Sequence, residues 1–170
     1  MSKNRIKEII RVNQAGELGA IQIYKGQLAV LKNKPISKDL LDMLQKENKH
    51  FKKFNELILT YKVRPTILSP LWKAGAFGLG AFTAMMGKKA TLACTEAVEE
   101  VIIDHYEKQS QYLKGKDTEL SKITKKFCKE EKEHLDFANE HDTGDDLFHK
   151  TLKKSIKMIS KTAIKISEKI

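Results

Sequence analysis

The string Glu47-Asn-Lys-His50 reappears as Glu131-Lys-Glu-His134, and both copies fall inside apolar stripes of helical period. Each copy is preceded by another glutamate, Glu17 at 30 residues and Glu99 at 32. Each of those glutamates is followed seven residues later by a tyrosine, Tyr24 and Tyr106. The chain is therefore two copies of one unit: a glutamate, a tyrosine, then Glu-x-x-His. An interval of roughly 30 residues is what a chain needs to finish one helix, turn, and return to the same level on the next. Burying a lone carboxylate is costly and calls for a compensating partner. One such residue on one helix can be an edge position. Four helices that all carry ionisable groups at mid-length in their apolar stripes require a shared cation.

The stripes set the boundaries. Helix one, residues 3–31, reads Ile10, Gln14, Glu17, Ile21, Tyr24, Leu28, Leu31, the three-four spacing of an amphipathic helix. A turn ending at Pro35 closes it, and Ser37 can cap the next helix. Helix two, 37–63, reads Leu40, Met43, Glu47, His50, Phe54, Leu57, Tyr61 and stops before Pro65, since the residue preceding proline leaves the α region. Helix three, 88–114, carries Leu92, Glu96, Glu99, Ile103, Tyr106, Ser110 and Leu113. Helix four, 121–141, carries Phe127, Glu131, His134 and Ala138. Asp142-Thr-Gly144 breaks that pattern, and a last amphipathic helix fills 145–170. With only three prolines and nine glycines, little punctuates strands. The expectation is one all-α domain over 1–170: a ferritin-like four-helix bundle of two hairpins, joined by a long apolar crossover at 64–87, plus a C-terminal amphipathic helix.

On a helix, residues three apart share a face, so Glu-x-x-His offers one oxygen and one nitrogen donor to one metal region. Two such pairs and two further glutamates make a set of Glu17, Glu47, His50, Glu99, Glu131 and His134. Four carboxylates balance two divalent ions, and this set is the di-iron or di-manganese carboxylate signature. Hard oxygens with a few imidazoles suit iron or manganese, whereas thiolates would suit zinc or clusters. A solvated polar face with two incidental histidines does not explain why the polar residues occupy the core stripe. Glu100 groups with Glu107 and Gln111 on a polar side, while Glu96 shares the Glu99 stripe as an extra or supporting carboxylate. Tyr24 and Tyr106 are open to two readings, core packing or a role behind the ligands or facing a substrate; the catalytic expectation falls on Tyr106, in one of those last two places.

The net charge of +10 comes from lysine, with arginine nearly absent. Such a chain is drawn to phosphate groups, but nucleic-acid readout leans on arginine, and no nucleic-acid motif is visible. Cys94 and Cys128 read as small reduced core residues. The start leads directly into a helical pattern, with no visible signal peptide or presequence. From Ala74 to Gly87 run fourteen uncharged residues, among them Phe77, Leu79, Phe82, Met85 and Met86. That run is too short to span a bilayer. It is either crossover core or an exposed apolar element that meets lipid or a lipid-like substrate. The last helix carries Leu152, Ile156, Ile159, Ala163, Ile166 and Ile170 on one stripe and lysines on its other faces. It can pack on the bundle, lie on an anionic membrane, or do both.

Three strings carry a family resemblance. Arg11-Val-Asn-Gln-Ala-Gly-Glu-Leu-Gly-Ala20 resembles the first-helix motif of the 5-demethoxyubiquinone hydroxylases. Ala93-Cys-Thr-Glu-Ala-Val-Glu-Glu100 with His105-Tyr106 resembles their third-helix motif, and Glu130-Glu-Lys-Glu-His-Leu-Asp136 their fourth. Glu96 departs from that pattern, where an apolar residue is usual. The resemblance covers nearly the whole chain. It implies a monooxygenase of ubiquinone biosynthesis that hydroxylates the ring of a prenylated methoxy-benzoquinol, using O₂ and two iron ions. It further implies that Glu47 and Glu131 bridge the irons, with Glu17 and His50 completing one and Glu99 and His134 the other. Electrons would come from reduced nicotinamide or from the quinol. The expected setting is peripheral, on the cytoplasmic face of a bacterial inner membrane, with anionic lipid and other ubiquinone-biosynthesis proteins as partners and no nucleic acid. The competing expectation is a ferritin- or rubrerythrin-like protein for iron storage or peroxide reduction, which would need neither the apolar crossover nor the basic tail.

Overall fold

A computed structural model describes residues 2–141 and 143–170, with the side chain of Ser2 outside the description. Asp142, part of the break expected at 142–144, also lies outside the described residues. Among those described there are six helices and no strand: α1 Ser2–Leu31, α2 Ser37–Thr60, α3 Ser69–Met85, α4 Lys88–Leu113, α5 Thr118–Glu140 and α6 Leu147–Lys169. The α1–α2 and α4–α5 hairpins form the bundle. Helix α3 lies along α1, and α6 lies against α4 and α1.

Local chemistry explains where the helices end. Asp117 accepts from the Leu120 N–H at 2.9 Å, so α5 starts three residues earlier than the apolar stripe alone suggested. Asp146 does the same for α6, accepting from His149 N–H at 3.1 Å. Such caps satisfy N–H groups that have no partner inside the helix. Helix α2 closes at Thr60 because Lys62 turns into the left-handed region at φ 50°, three residues before Pro65.

The core is layered. One apolar layer contains Ile10 from α1, Phe54 and Leu57 from α2, Ile103 and Leu113 from α4, and Leu120 and Phe127 from α5. The other contains Tyr24, Leu31, Leu40, Met43, Leu92 and Ala138. On every bundle helix the carboxylates and imidazoles fall between the two. The order is Ile10, Glu17, Tyr24 on α1 and Met43, Glu47, His50, Phe54 on α2. The second half repeats it with Leu92, Glu99, Ile103 on α4 and Phe127, Glu131, His134, Ala138 on α5. Each fully buried Leu or Phe contributes about 1.5–3 kcal/mol. A buried charge without compensation costs several kcal/mol. The two apolar layers therefore hold in place a polar band that could not hold itself.

The crossover contains a helix, α3, and its sequence shows how it packs. Gly26 of α1 meets the Phe77 carbonyl and the Ala81 N–H so closely that a β-carbon there would collide with backbone. Gly80 meets the Ile23 backbone in the same way. Two glycines thus let two helix backbones approach without side chains between them. The inner face of α3 buries Gly80, Thr83 and Ala84, while Phe82 (53% exposed) and Met85 (67% exposed) face outward. The fourteen-residue apolar run is accordingly both things at once: a packed inner face and an exposed outer one. Among the described residues, no helix is long and apolar enough to cross a membrane.

Helix α6 also divides its faces. Ile156 is buried against Ile23, Ala97 and Val98, with Leu152 beside it. Farther along, Ser167 is buried while Ile159, Ile166 and Ile170 are exposed. Its apolar stripe therefore packs directly on the bundle at Ile156 and, farther along, borders an open cavity through Ile159 and Ala163.

Candidate metal centre

The structure brings all six spaced residues into one buried cluster. Glu17, Glu47, His50, Glu99, Glu131 and His134 are each 3% exposed or less. They form two overlapping groups, Glu17–Glu47–His50–Glu131 and Glu47–Glu99–Glu131–His134, in which the donor atoms lie within 4.8 Å of one another. Glu47 and Glu131 belong to both groups. The Glu-x-x-His glutamates thus stand in the middle, and the α1 and α4 glutamates stand at the two sides.

Several of the buried donor atoms lack ordinary partners. His50 Nδ1 is 3.0 Å from Glu131 Oε1 and 3.4 Å from Glu17 Oε2. His134 Nδ1 is 3.1 Å from Glu131 Oε2, 3.2 Å from Glu47 Oε1 and 3.7 Å from Glu99 Oε1. It approaches these oxygens without the geometry of a hydrogen bond. Each of the four glutamates keeps at least one buried oxygen with no hydrogen-bond partner, and Glu47 keeps both. Native interiors seldom leave such atoms unpaired, and each exception asks for an explanation such as an ion. The set of oxygens with two imidazoles fits two hard divalent cations.

The electrostatics make the same demand. Burial pushes the Glu47 carboxyl well above the usual range, and the neighbouring Glu131 pushes it further. Burial and Glu131 likewise raise Glu99, to about 7. Burial opposes charge on His50, but the carboxylates of Glu131 and Glu17 overcome it and hold the ring up at about 11. Burial also opposes charge on His134, yet Glu131, Glu47 and Glu99 carry it to about 12. Without cations, the cluster must recruit protons to offset its carboxylates.

The tyrosines cross between halves. Tyr24, on the same helix as Glu17, donates to Glu99 Oε1 at 2.7 Å. Tyr106, on the same helix as Glu99, donates to Glu17 Oε1. Both phenols are buried, and burial together with the adjacent carboxylates raises their pKa well above the usual value. They hold their protons and aim one oxygen of each glutamate. Tyr106 touches the carboxylate cluster and is absent from the lining of the apolar cavity described below.

One residue escaped the spacing argument. Glu130 Oε2 lies 2.5 Å from His50 Nε2, although nothing within its own helix pairs it with a histidine. Its counterpart in the first half is Lys46, which pairs with Glu133 at 3.0 Å. That mismatch at otherwise equivalent positions is visible in the sequence. Elsewhere, Glu96 is satisfied by Lys153 at 3.0 and 3.1 Å, and Glu100 pairs with Lys157. Both face α6 and neither belongs to the cluster. His105 sits beside Gln109, whose side chain exchanges two hydrogen bonds with Asn13 at 2.7 and 2.9 Å.

An apolar cavity of about 380 Å³ opens beside the cluster. Helices α1, α3, α4 and α6 line it, with Gly16, Gly19, Leu79, Val98, Ile102 and Ile164 among its walls. Gly16 and Val98 immediately precede Glu17 and Glu99, so the cavity shares its walls with the helices that carry two candidate ligands. The glycines widen it by lacking side chains; a β-carbon at Gly16 or Gly19 would meet open space.

A helical bundle with a buried carboxylate–imidazole band can hold a metal pair, and comparison with known proteins makes the class specific. The family model described as ubiquinone biosynthesis protein COQ7 matches residues 4–167. The chain belongs to this family. It is 44% identical over 173 residues to the mitochondrial NADPH-dependent 3-demethoxyubiquinone 3-hydroxylase of Dictyostelium discoideum, covering 100% of this chain and 80% of that one. The human protein of the same name is 43% identical over 174 residues, with the same coverage. The 3-demethoxyubiquinol 3-hydroxylase of Rhodospirillum rubrum is 40% identical over 166 residues, covering 97% of this chain and 78% of its own. These relatives are named as hydroxylases of ubiquinone precursors. None of the three is named for iron storage or peroxide reduction.

Proposed function

We propose that this protein hydroxylates the ring of a prenylated demethoxyubiquinol, with two irons held by Glu17, Glu47, His50, Glu99, Glu131 and His134. The observation that carries the reading is the buried band itself: four carboxylates with unpartnered oxygens and two inward imidazoles, in a chain of the ubiquinone-biosynthesis family. Glu17 and His50 would serve one iron, Glu99 and His134 the other, and Glu47 and Glu131 would be shared. Bound there, the irons would supply the activation of O₂ that ring hydroxylation requires.

The chain's own residues account for the rest. Tyr24 and Tyr106 fix the outer glutamates by donating to one oxygen of each, which leaves the second oxygen free to turn inward. The apolar layers exclude water from the band and so strengthen every interaction within it. The cavity beside Gly16 and Gly19 has the apolar lining and the volume that a ring with the first part of an isoprenoid tail needs. Reducing equivalents would come from reduced nicotinamide, after which several relatives are named, or from the quinol.

The substrate dictates where the protein works. A polyprenyl quinol is confined to the bilayer, and the exposed Leu71, Phe77, Phe82, Met85 and Met86 on and beside α3 offer an apolar surface to reach it. Lysines along α6 would each add roughly 1 kcal/mol where they approach anionic lipid. Together the two weak contacts make reversible anchoring at a membrane face.

The test is anaerobic iron loading, addition of demethoxyubiquinol in detergent with O₂, and mass spectrometry of the product. About two irons per chain by the ligand count and a gain of one oxygen in the quinone support the reading. A mononuclear site, or unchanged quinone with full iron, rejects it.

A further inference from the structure

The two halves of the band hold their histidines differently. The His50 ring is stacked on Phe127, with centroids 3.9 Å apart and planes 26° apart. Its Nδ1 points at Glu131 and Glu17, and its Nε2 meets Glu130 Oε2 at 2.5 Å. The other ring, His134, has only an edge contact with Tyr24 at 6.2 Å. Its Nε2 is buried with no hydrogen-bond partner. The position matching Glu130 in the first half is Lys46, which pairs with Glu133 instead.

We infer that Glu130 is a positioning residue that makes the two metal positions unequal, so that the Glu17–His50 position binds its cation first and more tightly than the Glu99–His134 position. The inference rests on the metal reading above and goes beyond it. An imidazole that donates its outer N–H to a carboxylate is fixed in one tautomer and one orientation, and its inner nitrogen becomes a stronger donor. Here the outer nitrogen is Nε2, the carboxylate is Glu130 and the inner nitrogen is Nδ1. Stacking on Phe127 removes the remaining freedom of the ring. Glu130 is well placed for this work: its side chain is 29% exposed, and Lys126 Nζ lies 3.8 Å from its other oxygen. It stands at the edge of the bundle while His50 is buried. His134 has neither the carboxylate nor the stacked ring. It is ordered only by the inner carboxylates, so its cation must fix the ring as it binds. That ordering costs affinity and leaves the Glu99–His134 position the more adaptable of the two.

The experiment is an anaerobic titration of metal-free full-length protein with Co(II), followed by visible absorption. The unaltered chain is expected to fill in two steps of different affinity. Glu130→Ala should weaken the tighter step about 10–100-fold, the usual effect of removing such a partner, and shift its absorption band while leaving the weaker step unchanged. Glu130→Gln keeps an oxygen acceptor for Nε2–H and should restore most of the first step. Glu133→Ala, a neighbouring carboxylate on the same helix, should change neither. Circular dichroism distinguishes loss of metal binding from loss of fold. Two steps that stay unchanged in Glu130→Ala, or a loss equal in both steps, overturn the inference while the metal reading stands. An unaltered chain that takes up no Co(II) overturns the metal reading itself.

Discussion

Each half of the bundle carries one accessory helix, and the two are attached by opposite means. Helix α3 rides on α1 through close backbone contact at Gly26 and Gly80. Helix α6 is held on α4 by Ile156 and by two rungs of charge, Lys153–Glu96 and Lys157–Glu100, and on α1 by Arg5–Glu168 at 3.0 Å. Between them lies the apolar cavity. One wall of that cavity is therefore fixed by shape and the other largely by charge. Shape-fixed contacts are insensitive to salt and intolerant of added atoms. Charge-fixed contacts are the reverse at the surface. The same inequality appears inside, where His50 is clamped and His134 is not.

The largest expected effect tests the inner comparison. His50→Ala and His134→Ala should each lower hydroxylation at least about 1000-fold, since either leaves one iron short of its nitrogen donor. They should differ in the iron that remains: His134→Ala retains close to one tightly held iron, and His50→Ala, left with the weaker position, retains less through buffer exchange. Equal iron contents by elemental analysis would remove the distinction between the halves.

Next comes the α1–α3 junction. Gly80→Leu places a branched side chain against the Ile23 backbone and should destabilise the chain by about 3 kcal/mol, within the cost of forced overpacking. Denaturant unfolding measures it. A change below about 0.5 kcal/mol would mean that α3 is not fixed by backbone contact.

Removing the metal exposes the cluster to pH. His50 and His134 titrate near 11 and 12 in the folded chain, above the ordinary 6.5, and Glu99 near 7, above 4.5. Groups raised by folding contribute stability below their unfolded values and lose it as pH rises through the folded ones. Glu131, lowered to about 2 by His134 and His50 against its burial, contributes above 4.5 and loses its contribution only in strong acid. The metal-free protein should therefore weaken steadily from pH 6 to pH 9, seen as a falling Tm. The loaded protein should hold or gain, because metal binding requires deprotonated ligands. Parallel melts with and without chelator decide it; the same slope in both would mean that the cluster does not bind metal.

The smallest effects belong to the α6 rungs. Lys153→Met strands the buried Glu96 carboxylate and should cost about 2 kcal/mol. Lys157→Met, at the half-exposed Glu100, should cost between about 0 and 1 kcal/mol. Glu100→Gln should leave hydroxylation within about twofold. If the two lysine variants melt alike, the rungs are equivalent and charge does not set this wall.

Much of this site could be read before folding was considered. A repeat of Glu, Tyr and Glu-x-x-His in apolar stripes determined the all-helical class, the hairpin length and the six residues that converge, because a helix turns every 3.6 residues and a buried charge must be compensated. The apolar run at 74–87 and the basic last helix announced two further surfaces. Their packing was not legible: glycine spacing does not say which helix will come close, and Ile166 and Ile170 share a stripe with Ile156 yet are exposed. Tertiary structure alone decided that each tyrosine serves the glutamate of the opposite half, across 75 and 89 residues of chain. It alone brought Glu130 to His50 across 80 residues. Periodicity acts along one helix, whereas these are contacts between helices. They depend on how far one helix rotates and slides against another, a quantity set by all the side chains packed between them.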